Sequence, residues 1–194
     1  MMKKTWNQVI LYSIIIVVLA AAGWAISNML LGSDHPKAKP PPVVTTDLRT
    51  ERIHKLLVEW VYSHSSRISK DTCKIIVDEC MKTNKPLLML ALIQVESEFS
   101  PTVISDRGAI GLCQVMFPSH EKALISAGII KEKRDLFDIP CSIKAGNFII
   151  TGMLKSSSGD IVKALNLYLG GYNVTYQHRI LANLGTLYIL TQEL

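Results

Sequence analysis

The chain has 194 residues, of which 48% are hydrophobic and 19% charged, so it carries enough apolar surface for one sizeable core. Its formal net charge of +5 includes Lys3 and Lys4 near the N-terminus, and the mildly basic remainder gives no indication of nucleic-acid binding. The five histidines, His35, His54, His64, His120 and His178, are scattered and no Cys-x-x-Cys occurs, which argues against a metal site. A Gly-x-Ser-x-Gly elbow and a phosphate-binding glycine loop are also missing, so acyl and phosphoryl transfer lose their motifs and no cofactor is expected.

In chain order, residues 1–8 contain Lys3 and Lys4, and no charged residue follows until Asp34. The stretch 9–31 is long and apolar enough to cross a bilayer as one helix, and the two lysines keep the N-terminus cytoplasmic and carry everything beyond Asp34 across. Ala20 and Ala22 also offer a signal-peptide cleavage pattern. The apolar character nevertheless continues through Trp24, Ile26, Met29, Leu30 and Leu31, which favours an uncleaved anchor. Residues 32–46 follow as a linker in which Pro36, Pro40, Pro41 and Pro42 favour an extended spacer rising about 3.1 Å per residue.

Residues 47–194 read as one mainly α domain without internal repeats. Apolar periodicity predicts helices near 47–66, 71–83, 118–127, 142–157, 160–169 and 174–192, besides the one described next. Only the glycine-bearing loop 103–116, with its alternation of apolar and small residues, is suited to short strands or a hairpin. All four cysteines, Cys73, Cys80, Cys113 and Cys141, lie on the exported side, where disulfides are permitted, and their spacing decides no pairing. Cys73 and Cys80 on an unbroken helix would stand about 10 Å apart, beyond the roughly 7 Å reach of a disulfide.

The run KPLLMLALIQV at 85–95 is apolar on almost every helical face, with Gln94 the exception, and so belongs in the middle of a core. Pro86 suits its first turn and Pro101 disfavours helix at Ser100, which puts Glu96 in or near the last turn. Burial and the negative end of the helix dipole both raise a carboxyl pKa there, as a general acid requires. Glu98, about 200° further round the helix, is expected to point away from the same cleft. Asp106 is the nearby loop carboxylate able to act as a second catalytic group, although an Asp before Arg107 ordinarily does turn chemistry.

Glu96, Ser97, Phe99, Pro101, Ser105, Gly108, Ala109, Gly111, Leu112, Gln114 and Met116 stand in an order and spacing that resembles the soluble-type lytic transglycosylases. Downstream, Ile143 and Gly146 resemble the family's Asn-Ile-x-x-Gly helix, and Ala164, Leu165, Tyr168 and Gly171 its Ala-Leu-x-x-Tyr-Asn-Ala-Gly motif. The resemblance covers roughly residues 85–175. Cys113 stands for a Met, Phe117 is inserted before Pro118, and Ser142 and Leu169 each replace an Asn.

This resemblance implies a lysozyme-like α+β fold with a small hairpin or loop at the cleft, here preceded by the single transmembrane helix. It implies cleavage of the β-1,4 link between N-acetylmuramic acid and N-acetylglucosamine, with Glu96 as acid and then base and a 1,6-anhydromuramyl end as product. Ser105 would position substrate, Gln114 and Met116 would line the cleft, and Tyr168 would bond near Glu96 and help hold it. The implied partners are peptidoglycan strands and the inner membrane, with the catalytic domain periplasmic and an envelope-spanning machinery as a further possibility. Two alternatives remain: a hydrolytic muramidase pairing Glu96 with Asp106, and a non-catalytic wall-binding protein that kept the fold.

Overall fold

The computed structural model describes residues 46–65 and 68–192, all within the second of the two units into which the chain divides, Val44–Leu194. The predicted anchor at 9–31 and nearly all of the linker at 32–46 lie outside the described residues. Among the described residues, no helix is long and apolar enough to cross a membrane.

Seven α-helices are present among the described residues: α1 (Thr46–Ser63), α2 (Lys70–Met81), α3 (Pro86–Ser97), α4 (Phe117–Ser126), α5 (Ile139–Ser156), α6 (Ile161–Leu169) and α7 (Val174–Gln192). The centre is α3. Six consecutive side chains, Leu88 to Ile93, are buried, as a helix apolar on all faces requires, and α7, α2 and α5 pack around it. Gln94 is accommodated in this setting by Asn183 of α7, whose Nδ2 donates to its Oε1 at 2.7 Å. An unpartnered amide there would cost about 1–3 kcal/mol.

Local sequence explains where the helices begin and end. Ser69 caps α2 by accepting from the Thr72 N–H at 3.2 Å, Asp138 caps α5 through the Cys141 N–H at 3.0 Å, and Asp160 caps α6 through the Lys163 N–H at 3.0 Å. The Asp138 cap starts α5 three residues before the predicted 142, because Pro140 is tolerated in a first turn. At the other end, α1 stops at Ser63 rather than 66, where the Ser63 hydroxyl and the His64 ring Nδ1 both donate to the Trp60 carbonyl. A short 3-10 helix, Lys133–Phe137, is stabilised by reciprocal Glu132 and Asp135 caps. Periodicity did not predict it, since five residues are too few to show a period.

The expected hairpin is reduced to two isolated antiparallel bridges, Ile104 with Ile110 and Ile110 with Val115, and no strand is formed among the described residues. Gly108, Gly111 and Gln114 all have positive φ, so the segment turns before a ladder can extend. Gly111 is required there on two grounds: its φ of 71° lies in the left-handed region, and a Cβ would run into the Leu136 carbonyl. The fold is therefore mainly α, with one compact loop set against the end of α3.

All four cysteines are free thiols, with Cys73, Cys80 and Cys113 buried. The unbroken α2 keeps Cys73 and Cys80 apart, as their helical spacing requires.

Candidate active site

Glu96 occupies the last turn of α3, which ends as Glu98 and Phe99 turn left-handed at φ 49° and 64°. Two consecutive non-glycine residues in that region are costly, and Phe99 is held there by complete burial, edge-on to Trp60 at a centroid separation of 5.8 Å. Ser97 ties the same turn to the loop by donating to the Leu112 carbonyl at 2.8 Å. The position of Glu96 is thus set by packing on one side and by the loop on the other.

Its carboxyl sits under Tyr176, whose hydroxyl donates to Glu96 Oε1 at 2.5 Å. Burial raises the Glu96 pKa to about 7, while the Tyr176 hydrogen bond, which favours the carboxylate, pulls in the opposite direction. Burial, together with the neighbouring carboxyl, drives the Tyr176 phenol well above its ordinary range, so it remains a donor. Such a carboxyl is poised to give and take a proton near neutrality.

A cavity of about 270 Å³ opens over this group, lined by Glu96, Glu98, Ser100, Val103 and Arg179 among others. Larger grooves of about 540 Å³ each lie between α1 and α2 and beside α5. They are bordered by lysine–carboxylate pairs, Lys70 with Glu59 and Lys82 with Glu79, rather than by an acid held under an aromatic hydroxyl.

The position of Glu98 departs from the helical-wheel expectation. Because it is the left-handed cap and no longer part of the helix, it lines the cavity with Glu96 and is solvent-exposed at the same time. Asp106 is exposed on the loop and does not line that cavity.

The other predicted site residues shape the loop. Ser105 Oγ accepts from the Ala109 N–H at 3.0 Å, closing a turn. Gln114 Nε2 donates to the Gly111 carbonyl at 2.9 Å and to the Val103 carbonyl at 3.3 Å, so its amide holds the loop from within. Met116 is 37% exposed immediately before α4. Tyr168 donates to the Cys113 carbonyl at 2.7 Å, close enough to Glu96 for the carboxyl to add to burial, the larger cause, in raising its phenol pKa, while the bond to the carboxyl itself comes from Tyr176.

The substituted positions are structurally coherent. Ser142, where the resemblance expects Asn, is buried and its Oγ lies 3.4 Å from the Cys113 N–H, which donates to it. Cys113 is fully buried against α5, and a Cβ at Gly146 would come within 2.5 Å of its sulfur. Burial keeps that thiol well above its usual pKa, consistent with a packing role.

Sequence reasoning missed Tyr176, Arg179 and Asn183, all presented by α7. A local signal for Tyr176 existed: Asn173 precedes the predicted helix start at 174, and its Oδ1 accepts from the Tyr176 N–H at 3.0 Å, which places Tyr176 in the first turn. Which element that turn faces could not be read locally. Among the described residues, no group of three or more His, Cys, Asp or Glu side chains is arranged to hold a metal ion.

The family model described as the transglycosylase SLT domain matches residues 74–179, from within α2 to the first turns of α7, and so takes in Glu96, the loop, Tyr168 and Tyr176. Comparison with curated proteins gives no match.

Proposed function

Given that the chain belongs to the transglycosylase SLT domain family, whose function is of the peptidoglycan-acting, lytic-transglycosylase type, we propose that Glu96 is the acid–base of a transglycosylase acting on glycan strands. The observation that carries this reading is the Glu96 carboxyl, raised to about 7 and held by Tyr176, in a residue that lines a cavity inside the matched segment.

In the proposed reaction the protonated Glu96 gives its proton to the glycosidic oxygen as the bond to muramic C1 breaks. The carboxylate then takes the proton of the C6 hydroxyl, whose oxygen closes on C1 to leave a 1,6-anhydro end, and the leaving sugar departs with a free hydroxyl. An intramolecular nucleophile needs no water and gains from proximity. The carboxyl returns to its starting protonation state. Tyr176 holds the carboxyl through both transfers, and the loop fastened by Ser97, Gln114 and Tyr168 forms the adjoining wall, with Ser105 and Met116 available to substrate from it.

Glu98 favours one rival reading. Its place in the cavity makes it a better second carboxylate for a hydrolytic muramidase than Asp106, since hydrolysis needs a group that positions or activates water. Digestion of purified peptidoglycan followed by mass spectrometry separates the two. Anhydro ends are lighter than reducing ends by one water, so a product pool dominated by reducing ends would move the protein to the hydrolases. No cleavage by folded protein would leave a wall-binding role.

The proposal extends to location: residues 9–31 anchor the chain in the inner membrane, and the catalytic unit works in the periplasm at the end of the 32–46 spacer. The charge-free apolar stretch after Lys3 and Lys4 supports it.

A further inference from the structure

One face of α7 runs along the end of α3, and its polar side chains have distinct partners. Tyr176 is engaged with Glu96 and Asn183 with Gln94. Arg179 lies between them, one turn beyond Tyr176, and lines the cavity that opens over Glu96. It makes no ion pair with Glu96 or Glu98, although both line the same cavity, and it is exposed to whatever enters. Arg179 is the cation among the side chains lining this cavity. Its planar fork of donors fits a carboxylate in two-point fashion, which a lysine in its place would not reproduce.

We propose that Arg179 is a specificity residue that binds a carboxylate of the peptide attached to the glycan strand, so that the protein favours peptide-bearing strands. The inference rests on the peptidoglycan-acting reading above. The N-acetylated, peptide-substituted sugars of such a strand are themselves uncharged, and carboxylates come from the peptides. A guanidinium at the rim of the cavity would therefore read the peptide beside the bond that Glu96 attacks.

The experiment compares wild type and Arg179→Gln on two preparations of the same strands, one native and one with its peptide carboxylates converted to amides. Wild type should show a KM about tenfold higher on the amidated strands, and Arg179→Gln a similar rise on native strands with kcat within about threefold. On amidated strands the two proteins should behave alike, and Arg179→Lys should recover part of the loss. An equal penalty on both preparations, a change confined to kcat, or no change at all would overturn the assignment. Failure of the activity reading would appear separately, as wild type cleaving neither strand. Equilibrium binding of both preparations to Glu96→Gln, with and without Arg179→Gln, then still tests Arg179: an affinity that responds to amidation only while Arg179 is present supports the proposal, and any other pattern sinks it.

Discussion

The Tyr176 hydroxyl and the Glu96 carboxyl, 80 positions apart in sequence, meet at 2.5 Å where the first turn of α7 crosses the last turn of α3. The two effects on the carboxyl oppose each other: burial disfavours its charge and the phenol favours it, with burial the larger. The same bond fixes one carboxyl oxygen, Oε1, against the first turn of α7, in a residue that also lines the cavity.

If the protonated carboxyl is the reactive form in free enzyme, kcat/KM should fall with rising pH through a pKa near 7. Tyr176→Phe removes the interaction that lowers this pKa, so its alkaline limb should move to higher pH while the rate drops through loss of positioning. A pH–rate profile of both proteins on one strand preparation checks this. A limb that moves downward would show that the hydrogen bond does not act in the stated direction.

Glu96→Gln keeps the shape but has no proton to give, and should leave less than a tenth of the activity at matched amounts of folded protein. Retention of more than that, under about 1.4 kcal/mol of barrier, would remove Glu96 from the acid's role.

The same substitution should stabilise the fold at neutral and higher pH. With a folded pKa near 7 against an unfolded value near 4.5, the native chain keeps a proton that the unfolded chain has lost. Wild-type stability therefore declines between those values and levels off above them, by up to about 3 kcal/mol. Gln does not titrate, so melting temperatures of the two proteins should diverge from about pH 4.5 to 7. Equal slopes would mean the carboxyl is not effectively buried.

Gly146→Ala ought to help an ordinary helix by up to about 1 kcal/mol. Here the added Cβ would come within 2.5 Å of Cys113 Sγ and 2.7 Å of its Cβ, inside a filled core. The sign should reverse, with a loss of about 1–3 kcal/mol in urea unfolding. Gly152, on the same helix with open space around it, is the control, and its Ala variant should be neutral or better.

For the anchor, N-terminal sequencing of membrane-fraction protein should find the original N-terminus, and protease added to spheroplasts should degrade the domain. A chain beginning near Gly23 would show processing, and a protected domain would overturn the orientation.

Much of this protein follows from local pattern. An apolar run on every face puts α3 in the core, Pro86 and Pro101 bracket it, and Asp and Ser caps start three other helices, because these are interactions among residues a few positions apart. The order of residues from Glu96 to Met116 likewise carried the family resemblance and singled out Glu96 as the proposed acid. Tertiary structure alone decided who holds that acid and what shares its cavity. Tyr168 fastens the loop while Tyr176 takes the carboxyl, since the meeting of α7 with α3 depends on how whole helices pack. Glu98 turned from a residue facing away into a cavity wall because Phe99 is buried and forces the helix end into the left-handed region, a long-range packing effect that a helical wheel cannot contain.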